Sequence, residues 1–421
     1  MTAALATQAA MAGVRDRCER LLAERTEANR RFFEAEEERL ARLCHRMAER
    51  FAGGGRLLAL GLSPAARSDV RHVTVEFVHP VIVGKRALPA LGLSREGGPL
   101  AGQVELLADP GDIAIAFGVQ GDGGEEVVAA IKSARGRGCL TVAFETGSGA
   151  ECELVPPNSD PFVCQELVEA AYHMLWELVH VFFEHRGLLE GREDSPSHDP
   201  GAAGFLYPFL TESEHDLESV IADVRRSVLM KAQEIGELRR QTLSECSGVL
   251  LEAAIALRRS FDEGGRLLTL GNGGSATDAM DAVADFRFPP GDGAPRWPAR
   301  PAIDLTEDAA VITAIANDVG VAAIFMRQVI AHGREGDSLL ALSTSGDSEN
   351  VIEALAEARR RGIATVAMVG YDGGRIASDG LADHVIVTRS QHIPRIQEAQ
   401  ASAYHALREL VELAESAETS V

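Results

Sequence analysis

The stretch Arg56-Leu57-Leu58-Ala59-Leu60-Gly61 returns in this chain as Arg266-Leu267-Leu268-Thr269-Leu270-Gly271. Each copy is a short apolar run closed by glycine, and further runs follow each one: 113–117 and 141–144 in the first half, 338–342 and 365–369 in the second. Helical stretches separate the runs, which is the pattern of parallel strands in βαβ units. A second echo lies further along, where Gln165-Glu166 with Tyr172-His173 returns as Gln397-Glu398 with Tyr404-His405. Val14 to Phe51 and Asp216 to Phe261 are rich in Glu, Arg, Leu and Ala with apolar residues at helical spacing, so each half opens on helices. Between the halves, Gly187 to Leu210 carries Gly, Pro, Ser, Asp and His without periodicity and reads as a linker. The expectation is an α/β chain of two tandem three-layer α/β/α domains with central, mostly parallel sheets: residues 1–186, a linker at 187–211, and residues 212–421.

Composition narrows the function. A chain of 421 residues is long enough for two such cores. The net charge of −22 opposes a broad polyanion-binding surface, so nucleic acid is not an expected partner. Lysine occurs only at Lys85, Lys132 and Lys231, none in a setting suited to Schiff-base chemistry. Cys18, Cys44, Cys139, Cys152, Cys164 and Cys246 have no C-x-x-C spacing and read as reduced thiols rather than a zinc knuckle or disulfide framework. No membrane segment is expected, and Met1 to Ala12 lacks the basic start and long hydrophobic run of a signal peptide. A cytoplasmic location is expected. Acidity overall does not exclude a small anionic substrate, which backbone N–H groups, helix ends and hydroxyls can hold locally.

Two turns in the second half suit such a ligand. Gly271-Asn272-Gly273-Gly274-Ser275 leaves one apolar run and opens a helix, so its glycines let the backbone approach a ligand at a helix N-terminus. Ser343-Thr344-Ser345-Gly346-Asp347-Ser348 does the same after the next run and adds hydroxyls. Either alone can be a plain structural turn. Together they stand at the carboxyl ends of parallel strands, where open α/β sheets bind ligands.

These turns and their surroundings resemble the sugar isomerase (SIS) domain family, and within it the phosphoheptose isomerases, which interconvert sedoheptulose 7-phosphate and a heptose 7-phosphate. GNGGSATDAM, RPAIDLTEDAAVITAIANDVG, REGDSLLALSTSGDSENVI, YDGGR and RIQEAQASAYH carry the resemblance, over nearly all of Leu267 to Leu413. The resemblance implies a substrate site containing Asn272, Gly273, Gly274, Ser275, Asn317, Asp318, Ser343, Thr344, Ser345, Ser348 and Gln397, with the phosphate on the second turn. It also implies a divalent metal such as Zn2+, and no nucleotide or organic cofactor. The family carries a His and, four residues on, a Glu on the helix after GNGGS; Asp281 and Asp285 occupy those positions here, while Gln397 and His405 match the family's other two. Asp281, Asp285, Gln397 and His405 are thus the candidate metal set. In aldose–ketose isomerisation a base removes a proton next to the carbonyl while an acid serves the neighbouring oxygen. Shortening Glu to Asp withdraws the carboxylate by about one methylene, a shift that can cost roughly a hundredfold in rate.

The first half reverses this pattern. Asp69, His72, Glu76 and Phe77 have the spacing of Asp278, Asp281, Asp285 and Phe286, and Gln165 and His173 complete an alternative metal set of His72, Glu76, Gln165 and His173. Its turns depart from the family: Gly61-Leu62-Ser63-Pro64-Ala65 replaces GNGGS, and Gly118-Val119-Gln120-Gly121-Asp122-Gly123 replaces STSGDS. Gln397 and His405 are eight residues apart, roughly 12 Å along a straight helix, so one helix is poorly placed to bring both to one ion. Family sites are shared between subunits. This suggests an intrachain pseudo-dimer with a composite site, against the alternative that the first half is a scaffold retaining inherited side chains. Asp285 or Glu76 is the candidate base, and His405 or His173 the candidate acid.

Other residues take plainer readings. His384 and His392 read as surface histidines; Arg287, Arg296 and Arg300 are within reach of a phosphate, against the plainer reading that the Pro-rich segment Pro289 to Pro301 is a surface loop. Arg395 reads as an ion-pair partner or a substrate contact, and Leu175, Trp176, Val179, Phe182 and Phe183 as helix packing or an oligomer face rather than a cofactor box. The expected activity is isomerisation of a phosphorylated sugar by a homo-oligomer. A non-catalytic SIS-domain sugar-phosphate sensor or protein-assembly adaptor is the alternative.

Overall fold

The computed structural model describes residues 2–82, 85–184, 216–290 and 297–413. The expected linker at 187–211, Arg296 and the end of the chain lie outside the described residues, as does the side chain of Cys18. In chain order the main elements are α1 (Thr2–Ala52), β1 (Leu57–Leu60), α2 (Pro64–Val78), β2 (Ala90–Leu93), α3 (Leu100–Leu107), β3 (Ile113–Ala116), α4 (Gly124–Gly136), β4 (Leu140–Ala143), β5 (Cys152–Glu153) and α5 (Pro161–Glu184). They continue with α6 (Leu217–Glu245), α7 (Ser247–Asp262), β6 (Leu267–Leu270), α8 (Gly274–Arg287), β7 (Ala302–Asp304), α9 (Ala309–Asp318), α10 (Ile324–His332), β8 (Ser338–Ser343), α11 (Glu349–Arg360), β9 (Ala364–Gly370), α12 (Gly374–Ser378), β10 (His384–Thr388) and α13 (Ile393–Leu413).

Both sheets are five-stranded and parallel at every pairing, in the orders β2-β1-β3-β4-β5 and β10-β9-β8-β6-β7. Read from the opposite edge, the second order is that of the first. The repeated apolar runs β1 and β6 occupy equivalent inner positions and are buried along their whole length, as strands covered on both faces must be. Residues Ala28–Glu234 form one compact unit, the first; Met1–Glu27 with Ile235–Val421 form the other, the second. The long helices α1 and α6 therefore each contribute residues to both units.

In the first unit, one core packs Leu58 and Leu60 of β1 and Ala114 and Ala116 of β3 against Leu100 and Val104 of α3 and Val127 and Ile131 of α4. In the second unit the alternation of β8 separates two cores. Leu340 and Leu342 face Leu257, Phe286 and Tyr404, whereas Leu339 and Ala341 face Ile352 and Leu355. Helix α13 closes the first of these faces, and its buried residues run from Pro394 to Val411. Trp176 and Phe182 are fully buried in the first unit, in line with a packing role.

Candidate functional site

In the second unit the turn after β6 is shaped by Gly273, whose φ of 58° and ψ of −126° suit only glycine and carry the chain from strand to α8. Asn272 beside it exchanges two side-chain hydrogen bonds with Asn350: each amide donates to the other's oxygen at 2.9 Å. Asn350 sits in the first turn of α11, so this pair ties the two ligand-type turns together. The sequence alone does not show this pairing, because each amide gains it only from a partner 78 residues away.

The second turn is preorganised by its own hydroxyls. Ser343 Oγ accepts from the Gly346 N–H at 3.2 Å, and Ser345 Oγ accepts from the Asp347 N–H at 3.2 Å. Gly346 has φ 70°, and a Cβ there would lie 2.2 Å from the Gly373 carbonyl oxygen, so the turn and the loop before α12 are in backbone contact. Asp347 accepts from the Arg375 N–H, and the Arg375 guanidinium pairs with Glu349 at 2.8 Å. Ser348 takes the N-cap position of α11 without a side-chain capping bond, at a helix N-terminus, an end that favours anions. Asn317 and Asp318 hydrogen-bond to each other on the exposed last turn of α9, rather than to either turn.

Helix α8 carries Asp281 and Asp285 one turn apart, and both carboxylates meet His405 of α13. His405 Nε2 lies 3.5 Å from Asp281 Oδ2 and 3.4 Å from Asp285 Oδ2, and all three residues are buried. Tyr404 donates its hydroxyl to Asp281 Oδ2 at 2.8 Å. Arg408, one turn on, donates Nε to the Asp285 carbonyl at 3.1 Å and a second nitrogen to the Pro298 carbonyl at 3.0 Å. Its guanidinium lies 4.9 Å from the Phe286 ring centre and 5.1 Å from that of Trp297. Gln397 is buried on the same helix, eight residues before His405.

The first unit builds a different cluster on the same plan. His72 and Glu76 are one turn apart on α2, and His173 comes from α5. His72 Nε2 lies 3.2 Å from His173 Nε2 and 3.9 Å from Glu76 Oε1. Burial, and then the neighbouring His173, hold the His72 imidazole well below the usual histidine range, which favours the neutral ring a metal requires. Tyr172 packs its ring edge against His72, where the equivalent Tyr404 donates to Asp281.

Among the described residues, three of the arginines and one of the histidines singled out in the sequence have protein partners. Arg287 donates to the Ala302 carbonyl, Arg300 pairs with Glu412 at 2.8 Å, and Arg395 pairs with Glu398 at 2.7 Å. His384 lies 3.9 Å from Glu252.

A family model described as the SIS domain matches residues 232–370. The phosphoheptose isomerase of Pelodictyon phaeoclathratiforme is 41% identical over 196 residues, covering 46% of this chain and 88% of that protein. The chain belongs to the phosphoheptose isomerase family. Two solved structures extend the likeness in fold alone to nearly the whole chain. The C-terminal domain of glucosamine-fructose-6-phosphate aminotransferase from Francisella tularensis gives a TM-score of 0.56 at 9% identity, covering 93% of this chain and 94% of that one. Tagatose-6-phosphate ketose/aldose isomerase from Escherichia coli gives 0.53 at 12% identity, covering 94% and 93%. Both sheets thus belong to the SIS-type α/β/α architecture.

The family implies a metal, and the donor chemistry of this chain fits one. Two ligands of a tetrahedral ion with bonds of roughly 2.1 Å stand about 3.4 Å apart. The His405 separations of 3.4 and 3.5 Å and the His72–His173 separation of 3.2 Å are of that size. The second unit's set has two carboxylates and one imidazole, and the first unit's has two imidazoles and one carboxylate.

Proposed function

We propose that the second unit isomerises a phosphorylated ketose, with sedoheptulose 7-phosphate as the leading substrate. The observation that carries this reading is the Asn272–Asn350 pair, which joins the two turns expected to hold the sugar phosphate. The helix that leaves the first turn also carries Asp281 and Asp285 to His405. In this reading the hydroxyls of Ser343, Thr344, Ser345 and Ser348, with the opening N–H groups of α11, take the phosphate oxygens. Asn272, Gly273, Gly274 and Ser275 line the sugar. The Asp285 carboxylate removes the proton from the carbon beside the carbonyl, and His405 gives a proton to the carbonyl oxygen, forming the enediol. Return of the first proton to the former carbonyl carbon, and loss of one from the other hydroxyl, completes the exchange without net oxidation. Tyr404 orients Asp281, and Arg408 fixes the helical turn of Asp285.

Asp281, Asp285 and His405 are also the residues that would hold a divalent ion; it would polarise the sugar oxygens in place of the proton that the metal-free His405 gives. The test is incubation with sedoheptulose 7-phosphate in deuterated water, with and without zinc, following exchange of the proton on the carbon next to the carbonyl. Exchange is expected. Binding without exchange would favour the sugar-phosphate sensor, and neither binding nor exchange would end the sugar-phosphate assignment.

A further inference from the structure

The turn after β3 has an occupant supplied by the chain itself. The Glu145 carboxylate accepts the backbone N–H of Gln120; burial pushes the carboxyl up, while the N–H groups of Gln120, Val119 and Gly118 favour its charged form. Successive N–H groups aimed at one point form an anion-binding nest. Strand register shows which turn this is. Leu57 pairs with Ile113 as Leu267 pairs with Ser338, so Gly118, Val119 and Gln120 stand where Ser343, Thr344 and Ser345 stand in the second sheet. By the same pairing Leu140 faces Ile113 as Ala364 faces Ser338, and counting on from there puts Glu145, two residues past the end of β4, at the position that Val369 takes within β9 of the second sheet. One position thus carries an anion in the first unit and an apolar side chain in the second.

We infer that Glu145 is a built-in anion filling the first unit's phosphate seat, and that this unit holds a masked phosphomonoester site which opens when the carboxylate is removed. The inference rests on the phosphate seat proposed for Ser343–Ser348. A carboxylate and a phosphate present the same kind of acceptor oxygen to N–H donors. Glu145 is tethered beside its donors, so it competes at a high effective concentration against any free ligand. Gln120 is held further by its side-chain amide, which donates to Thr146 Oγ1 at 3.2 Å. The loss of STSGDS hydroxyls in the first half is then accompanied by a replacement for the ligand itself. Substitution of Glu145 by valine copies the side chain that the second unit already uses.

The full chain and its Glu145→Val and Glu145→Ala variants would be followed by amide hydrogen exchange with and without about 20 mM inorganic phosphate, at concentrations where mass action makes weak binding visible. In the native chain phosphate is expected to slow exchange at 343–348 and to leave 117–121 unchanged. In a folded variant it should also slow 117–121, on the order of threefold. Phosphate-dependent slowing at 117–121 in the native chain, or none there in both folded variants, would overturn the masked site. The result at 343–348 is read separately: no slowing there would count against the proposed phosphate seat of the second unit. Glu145→Ala serves if Glu145→Val does not fold.

Discussion

At the scale of single residues, the second unit's acid cluster is held by its neighbours as much as by its own charges. Tyr404 donates to Asp281 at 2.8 Å within a buried setting. Removing a donor to a buried carboxylate leaves part of the desolvation cost unmet, so Tyr404→Phe should lower stability by about 2 kcal/mol in denaturant unfolding. A second residue-scale expectation concerns Gly346, with its φ of 70° and a Cβ position 2.2 Å from the Gly373 carbonyl oxygen. Gly346→Ala should cost roughly 3 kcal/mol, since strain and a backbone clash add, and a melting curve checks it. The spacing of Asp281 and Asp285 puts both on one helical face in the sequence, and the structure brings them to His405. The roles of Asn350, Arg408 and Glu145 are not legible there, because each acts through a contact distant in sequence. An asparagine, an arginine or a glutamate read singly carries no sign of its partner.

At the scale of elements, α13 organises the second unit. Its Arg408 and the preceding Arg300 both pair with Glu412, at 2.7 and 2.8 Å. Burial pushes the Glu412 carboxyl up, but Arg300 and Arg408 together outweigh it and hold the group below the usual carboxylate range. The native state therefore binds this proton less readily than the unfolded chain, and the stabilisation is fully present above the ordinary value and lost as pH falls through the depressed one. The stability difference between the native chain and Glu412→Gln should accordingly be constant above about pH 5 and close below about pH 4. Thermal unfolding across that range is the check. A difference that grew on acidification would reverse the assignment. Element boundaries tell a related story about what sequence can show. Strands β1 and β6 were read without shift because four consecutive apolar residues are buried on both faces. Strands β2, β5 and β7 had no such signal. They are edge strands of four, two and three residues with partly exposed faces, and pairing with an inner strand defines them more than composition does. The helical stretch from Asp216 to Phe261 is two helices, α6 and α7, broken at Cys246.

At the scale of the whole molecule, the chain carries two SIS-type sheets with the same strand order but different side-chain chemistry at equivalent points. Imidazole-rich sets suit zinc, whereas carboxylate-rich sets raise the relative affinity of harder ions such as manganese, although zinc binds more tightly in absolute terms at most such sites. Competition dialysis of zinc against manganese, read by elemental analysis, should therefore give a lower zinc-to-manganese ratio in His173→Ala, which retains the second unit's set, than in His405→Ala, which retains the first unit's. A difference of about tenfold is expected. Equal ratios would mean that donor type does not govern these clusters. Two-sheet organisation is readable from the repeated apolar runs, and the strand-to-helix turns from glycine placement. The equivalence of Glu145 and Val369 required the strand register, which no single run of sequence contains.

We propose that the second unit carries the isomerisation, with Asp285 as base. Its most direct measurement is deuterium incorporation from solvent into sedoheptulose 7-phosphate by the native chain, Asp285→Asn and Glu76→Gln, each shown to be folded. Incorporation should fall at least about a hundredfold in Asp285→Asn and persist in Glu76→Gln. Incorporation that survives in Asp285→Asn and disappears in Glu76→Gln would contradict it.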